Sequence, residues 1–160
     1  MPETLPAGPG FARIIARLCA CAGVAVEVTH SIEVRKGPTE VFALIDDPMR
    51  YPQWVESAKA VEAKGPDSFH VVLKEKGPGM EGRVVLRQAP TKHLVHLSDA
   101  QYDVDQGFEL APSGEGTRVT YTRRLDRKKG GFGLMTGMVR KGTQKSMARE
   151  LEALKRLLDG

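Results

Sequence analysis

Two residues of this sequence, His30 and Tyr121, combine useful chemistry with a predicted inward position. His30 lies among apolar residues in the alternating stretch 26–35. An imidazole titrates near neutral pH, so His30 can act as an acid, a base or a hydrogen-bonding partner of a ligand. The hydroxyl of Tyr121 can donate to a ligand carbonyl. The two are our candidate acid–base pair, although buried histidines and tyrosines are commonly ordinary core residues bonded to a neighbour.

Other patterns that carry chemistry are weak in this sequence. His93 and His96 are three residues apart in a predicted strand, which places them on opposite faces and prevents joint metal binding without a bulge. No nucleophile elbow, P-loop or zinc-ligand spacing occurs in the 160 residues. Cys19 and Cys21 are too close in sequence for good disulfide geometry. We therefore expect no metal and no cofactor.

The strongest charge feature is a basic cluster that runs from the end of the last predicted strand into the final helix. The cluster consists of Arg123, Arg124, Arg127, Lys128 and Lys129, followed by Arg140, Lys141 and Lys145. Such a cluster can attract an anionic ligand, a membrane surface or RNA, but most charge runs are solvated surface. Because the net charge is only +4, we predict at most a weak contact with anionic membranes and no specific nucleic-acid partner.

The elements that position these residues begin with a strand at 26–35. Val26, Val28, Ile32 and Val34 alternate there with polar residues, which is the period of a half-buried strand. A short helix between Pro38 and Pro48 and a second helical turn at 49–55 come next. Six further strands are predicted at 57–64, 68–76, 80–89, 93–101, 104–111 and 117–125. Their short links require mostly antiparallel pairing.

The chain ends in a predicted helix at 132–158. Apolar residues recur there at helical spacing, and Gly133, Gly137 and Gly142 weaken its first part. The predicted outer face of the second part carries Arg149, Glu150, Glu152, Lys155 and Arg156.

Residues 1–25 are predicted to be an extension, either loosely ordered or a short helix. Residues 1–10 contain three Pro and two Gly, which disfavour regular structure. The apolar run at 11–25 resembles a signal peptide only superficially, because Arg13 and Arg17 interrupt it. We therefore expect one ligand-binding domain at 26–160 and a cytoplasmic location, with the natural start near Val26 as a hypothesis.

Several short motifs stand in order along this chain. They are SIEV at 31–34, GPTEVF at 37–42, DDP at 46–48, YPQW at 51–54 and GTRVTY at 116–121. With the order of elements, they resemble the SRPBCC superfamily of START, polyketide cyclase and birch-allergen-like proteins, in particular its bacterial polyketide cyclase/dehydrase branch. The resemblance implies an α+β helix-grip fold. In that fold a curved, seven-stranded antiparallel sheet wraps around a long C-terminal helix, two short helices follow the first strand, and a deep cavity opens inside.

A cavity also follows from packing. One helix, about 10 Å wide, cannot fill the concave side of a strongly bent sheet, and aromatic residues make up only 6% of the chain. An apolar pocket with a few polar groups is the usual form of a small-molecule site. We predict the lining of this pocket on three grounds. Strand alternation gives the inward residues, the resemblance places Trp54 near the pocket mouth, and methionine adapts to varied ligand shapes. The predicted ligand-binding residues are Val28, His30, Trp54, Val104, Gln106, Phe108, Leu110, Val119, Tyr121, Met135 and Met138.

Three functions remain open at this level. The first is a carrier or sensor that binds a hydrophobic small molecule of polyketide, lipid or isoprenoid type. The second is a polyketide cyclase or dehydratase that uses His30 and Tyr121. The third follows from the segment at 51–54, which is similar to coenzyme Q-binding relatives and implies a prenyl-quinone carrier. The sequence favours the first and leaves monomer and homodimer open.

Overall fold

The structure is a computed structural model that describes residues 25–160. Seven strands form one antiparallel sheet in this part of the chain. They are β1 (Val26–Val34), β2 (Ala58–Ala63), β3 (Ser68–Leu73), β4 (Met80–Gln88), β5 (Lys92–Ser98), β6 (Tyr102–Ser113) and β7 (Gly116–Arg127). The predictions for residues 1–24 lie outside the described residues.

Four helical segments complete the fold described by the structure. Helix α1 (Pro38–Ile45) and a 3-10 helix (Pro48–Gln53) join β1 to β2. A short 3-10 turn (Gly133–Met135) leads into the 24-residue helix α2 (Thr136–Asp159). The predicted fold class, a seven-stranded antiparallel sheet with two short helices after the first strand and a long final helix, is confirmed.

The sheet runs in the order β1-β7-β6-β5-β4-β3-β2. Strands β2 to β7 each pair with their neighbours in sequence, whereas β1 pairs with the last strand, β7, from Val26 opposite Leu125 to Val34 opposite Thr117. Residues paired across antiparallel strands project to the same face. This register therefore places His30 beside Tyr121, and the pairing of β6 with β7 places Phe108 on the other side of Tyr121.

Helix α1 follows from its local sequence. Pro38 occupies the first turn, where its missing N–H costs nothing and its fixed φ suits a helix. The side chains of Val41, Phe42, Leu44 and Ile45 are buried against the sheet. Pro48 opens the 3-10 helix, and the Asp47 side chain caps that helix by accepting from the N–H of Met49 at 3.1 Å. These turns bring Trp54 into the core, where it is 3% exposed.

Helix α2 packs on the inner face of the sheet through its second half. The buried stripe contains Met147, Leu151, Leu154 and Leu158. Glu150 lies in the same stripe and is 1% exposed. The prediction that placed Glu150 on the outer face was therefore wrong. Position 150 is three residues after Met147 and four before Leu154, which is the spacing of the inner face of a helix.

Candidate functional site

A stack of aromatic rings forms the centre of the interior between the sheet and α2. The rings of Phe108 and Tyr121 lie parallel, with centroids 4.3 Å apart. The ring of Trp54 meets Phe108 edge to face at 5.7 Å, and Tyr51 meets Trp54 in the same way at 5.5 Å. Each of these four side chains is at most 4% exposed. Two strands and the 3-10 segment thus meet at one aromatic centre.

Charged and polar groups surround this stack. The guanidinium of Arg123 lies 5.4 Å from the centroid of the Tyr121 ring and donates to the Tyr121 hydroxyl at 2.5 Å. Arg123 also forms an ion pair with Glu150 on α2, and the hydroxyl of Tyr121 donates to the same carboxylate at 3.2 Å. The second oxygen of Glu150 accepts from the N–H of Glu56 at 3.0 Å. We call His30, Trp54, Tyr121, Arg123 and Glu150 the interior polar cluster.

Burial sets the protonation states of this cluster. Removal from water raises the pKa of Tyr121 well above its ordinary value, so the phenol keeps its proton near neutral pH. Burial alone would lower the pKa of Arg123, but Tyr121 and Glu150 beside it raise it overall, and the guanidinium keeps its charge. The Tyr121 hydroxyl is therefore a hydrogen-bond donor held in place by Arg123 and Glu150.

Three members of the interior polar cluster retain a free hydrogen-bonding atom. Trp54 Nε1, Arg123 Nε and His30 Nε2 are buried, and none has a hydrogen-bond partner among the described residues. An N–H of Trp or Arg can only donate, whereas an imidazole nitrogen does either according to its tautomer. A buried donor without a partner costs about 1–3 kcal/mol. The cluster is therefore suited to a bound molecule that supplies an acceptor oxygen.

The predicted acid–base pair is brought together by the fold. His30 and Tyr121 are direct cross-strand neighbours on the inner face. Tyr121 is fully buried and bonded to Glu150, whereas His30 is partly buried. Their adjacency agrees with the prediction, while a catalytic role for either residue stays a prediction.

Most of the predicted lining is in the interior. The following residues are at most 8% exposed: Val28, Trp54, Val104, Gln106, Phe108, Leu110, Val119 and Tyr121. Met135 and Met138 differ, because they are 54% and 69% exposed at the start of α2. The structure thus keeps these two methionines away from the interior, because the buried residues of α2 begin only at Thr143. Contact between any of these residues and a ligand stays a prediction.

A second buried polar group, which the sequence did not reveal, lies beneath α1. His93 is 2% exposed, and its Nε2 lies 2.8 Å from Asp46 Oδ1. Arg87 binds both oxygens of Asp46, at 2.8 and 2.9 Å, and also reaches Asp67 at 2.8 Å. Burial lowers the pKa of His93, more than Asp46 raises it, so the ring is neutral near pH 7. Its Nδ1 has no partner in the described part of the chain.

His96, three residues further along β5, lies on the face opposite to His93, as the spacing predicted. Its Nδ1 is 2.8 Å from Asp105 and its Nε2 is 3.3 Å from Asp103. The hydrogen bond to Asp105 raises the pKa of His96. No group of three or more His, Cys, Asp or Glu side chains among residues 25–160 is arranged to hold a metal ion.

The predicted basic cluster is divided by the fold. Arg123 is not a surface residue: it shares the inward face with Tyr121 and pairs with buried Glu150. Its inclusion in a membrane-contacting surface was therefore wrong. Arg124 lies on the outer face near Glu27 and Asp126, at 4.0 and 3.6 Å. Arg127, Lys128 and Lys129 are exposed.

Comparison with known proteins identifies the relatives of this chain. Residues 25–159 match the family model described as polyketide cyclase / dehydrase and lipid transport. A START superfamily protein from Mycobacterium smegmatis is similar in structure, with a TM-score of 0.69 and 17% identity over 82% of this chain and 96% of that one. A conserved protein from Geobacillus kaustophilus gives a TM-score of 0.66 and 19% identity over 82% and 94%. At these identities, the structures establish the fold alone.

Comparison with curated proteins gave no match. Within the described residues, no helix combines the length and hydrophobicity needed to cross a bilayer.

Proposed function

Because the chain belongs to the polyketide cyclase / dehydrase and lipid transport family, we propose that it binds a hydrophobic small molecule between the inner face of its sheet and α2. The observation that carries this proposal is the set of three unpartnered nitrogen atoms around the Phe108–Tyr121 stack. The apolar side chains beside them suit the body of such a molecule. The free N–H groups suit one polar end.

The charge balance of the interior polar cluster favours a neutral polar end. Glu150 already neutralises Arg123, so a carboxylate placed at Arg123 Nε would be a further buried charge without a counter-ion. Burial of an unpaired charge is strongly unfavourable. A carbonyl or ester oxygen accepts the same hydrogen bonds without that cost. Polyketides, quinones and esters with long chains carry such neutral oxygens, whereas a free fatty acid presents a charged carboxylate at neutral pH.

The ligand class can be tested with a matched pair of molecules. We expect a long-chain methyl ester to bind, and the fatty acid of the same length to bind at least tenfold more weakly at neutral pH. Trp54 is the only tryptophan of the chain, so its fluorescence reports occupancy of the site. Native mass spectrometry of the purified protein would identify a retained molecule. Equal or tighter binding of the acid would contradict a neutral-acceptor site.

The Trp54→Phe variant tests whether the indole N–H donates a hydrogen bond to the ligand. Trp54→Phe keeps an aromatic ring but removes the Nε1 donor, and we expect it to weaken ester binding about fivefold to tenfold, the value of about one hydrogen bond. Binding is then followed by calorimetry. Tyr102→Phe is the matched control, because Tyr102 stacks on Phe132 rather than on a ring of the site. An unchanged affinity in Trp54→Phe would show that the indole does not bind the ligand.

A second candidate function, acid–base catalysis by a cyclase or dehydratase, is favoured by His93. This ring is oriented by Asp46, neutral near pH 7, and has a free Nδ1. Those are the features of a general base. Because burial lowers its pKa, the basic form would persist to a pH below the ordinary value of about 6.5.

Proton abstraction by His93 can be measured without a known substrate. If His93 acts as a base, we expect the protein to accelerate exchange of the α-hydrogens of a long-chain 2-ketone with deuterated water. The exchange is measured by NMR. The exchange rate with the His93→Gln variant should be at least tenfold lower than with the wild type, consistent with the usual size of general-base catalysis. His96→Gln, on the outer face, should retain it. Exchange no faster than in buffer would leave binding as the function.

A further inference from the structure

The start of α2 presents an apolar surface to solvent. Leu134 is fully exposed, at 107% of its reference area, and Met135 and Met138 are 54% and 69% exposed. These three side chains lie within five residues. Single exposed apolar residues are ordinary, whereas several that are close together in the chain are a candidate surface for contact with a protein or a membrane. We call Leu134, Met135 and Met138 the apolar tip.

Contacts on both sides hold the apolar tip in place. On one side, the ring of Phe132 stacks on Tyr102, with centroids 6.3 Å apart and planes 7° from parallel. On the other side, Arg140 donates to the backbone oxygen of Glu27 at 2.9 Å. The intervening turn is closed by the Thr136 hydroxyl, which donates to the oxygen of Gly133 at 2.7 Å. The tip therefore projects from a segment attached to β6 and β1.

The charge around the apolar tip is mainly positive, although two of its cations have carboxylate partners: Lys128 lies 3.9 Å from Asp103 and Arg149 lies 2.9 Å from Glu56. Residues 127–149 contain seven Lys and Arg (Arg127, Lys128, Lys129, Arg140, Lys141, Lys145 and Arg149) and no Asp or Glu. The whole chain has a net charge of +4, so this segment contributes +7 and the other residues together contribute −3. Apolar side chains surrounded by cations are the pattern of a segment that lies in the interface of an anionic bilayer.

We propose that the apolar tip and the lysines and arginines around it dock the protein on the surface of an anionic lipid bilayer. The charge pattern favours a bilayer over a second copy of this chain as the partner of the apolar tip. A second copy of this chain would bring two mainly basic segments together, which costs repulsion, whereas a bilayer containing anionic lipid complements both the unpaired cations and the apolar side chains. The proposal does not depend on which molecule the interior binds.

Flotation with vesicles tests the docking surface. We expect the protein to float with phosphatidylcholine vesicles that contain phosphatidylserine, to remain unbound with phosphatidylcholine alone, and to be released by high salt. The double variant Leu134→Gln/Met138→Gln should lose most of the binding. Both side chains are exposed, so the variant should keep the melting temperature of the wild type. Removal of two charges in Lys129→Gln/Lys141→Gln should weaken binding about fivefold per charge.

A charge-matched control distinguishes the tip from general attraction. Lys36→Gln/Arg118→Gln removes two exposed cations at the end of the β1–β7 pair that lies away from the tip, and it should bind vesicles like the wild type. An equal loss in this control, or binding that ignores phosphatidylserine, would overturn the proposal. So would sedimentation of the free protein as a dimer that Leu134→Gln/Met138→Gln dissociates, because the tip would then contact a second copy.

Discussion

The variant Glu150→Gln is expected to lower the free energy of unfolding by about 3–5 kcal/mol, the cost of breaking a buried ion pair from one side. The Glu150 side chain is 1% exposed and that of its partner Arg123 is 12% exposed. Loss of the carboxylate charge therefore leaves a guanidinium buried without a counter-ion. The amide of Gln would also present a donor where Glu150 now accepts from Tyr121, Arg123 or the Glu56 N–H.

Chemical denaturation measures this effect, with Glu152→Gln as the matched control. Glu152 lies on the exposed side of the same helix, and its substitution should change stability by less than about 0.5 kcal/mol. The double variant Arg123→Met/Glu150→Gln should be less destabilised than Glu150→Gln alone, because the stranded charge is gone. A single variant as stable as the control would mean that Arg123 reaches water in solution.

The second large effect is expected for Phe108→Ala, which should cost about 3–5 kcal/mol as a large-to-small change in the core. Phe108 is 2% exposed and contacts both Tyr121 and Trp54 through its ring. The variant removes two aromatic contacts, each worth about 0.5–1.5 kcal/mol beyond burial. The cavity that remains lies beside the interior polar cluster.

Denaturation followed by Trp54 fluorescence detects both the lost stability and the altered surroundings of the indole. Phe132→Ala is the control, because Phe132 is only partly buried and its ring contact is with Tyr102, outside the core stack. Its expected loss is smaller, under about 2 kcal/mol. If Phe108→Ala lowered the free energy of unfolding no more than Phe132→Ala does, the neighbouring side chains would have moved in to fill the space of the missing ring. The stack would then not stabilise the fold.

The strand pattern of the sequence predicted the fold because period-2 alternation depends only on which face is buried. Val119 and Tyr121 were predicted to face inward, and both are fully buried. The same alternation also places Arg123 inward, two residues after Tyr121. Its assignment to a surface cluster followed its charge rather than its position. A charged residue at an inward position needs a partner, and that partner, Glu150, is 27 residues further along the chain.

Residues of the second buried group were harder to predict. Asp46, Arg87 and His93 lie at the end of α1 and in two different strands. They meet because the β4–β5 register shifts between Val84 and Leu86, after which Arg87 lies opposite His93. Nothing local in the sequence indicates such an irregularity. Exposure of Met135 and Met138 was missed for a related reason, since helical spacing does not say where the packing of a helix against the sheet begins.

The pairing of the first strand with the last determines the order in which the protein can fold during its synthesis. β1 meets only β7 in the described sheet, about ninety residues later, and the N–H of Arg35 donates to Asp159, 124 residues away. While the ribosome is still translating the middle of the chain, β1 has no partner strand, and its edge is open to wrong pairing. Strands β2 to β6 can form a meander meanwhile. Because β1 needs β7 as its partner and α2 covers the inner face, the sheet can be completed and its core closed only after both elements have been synthesised.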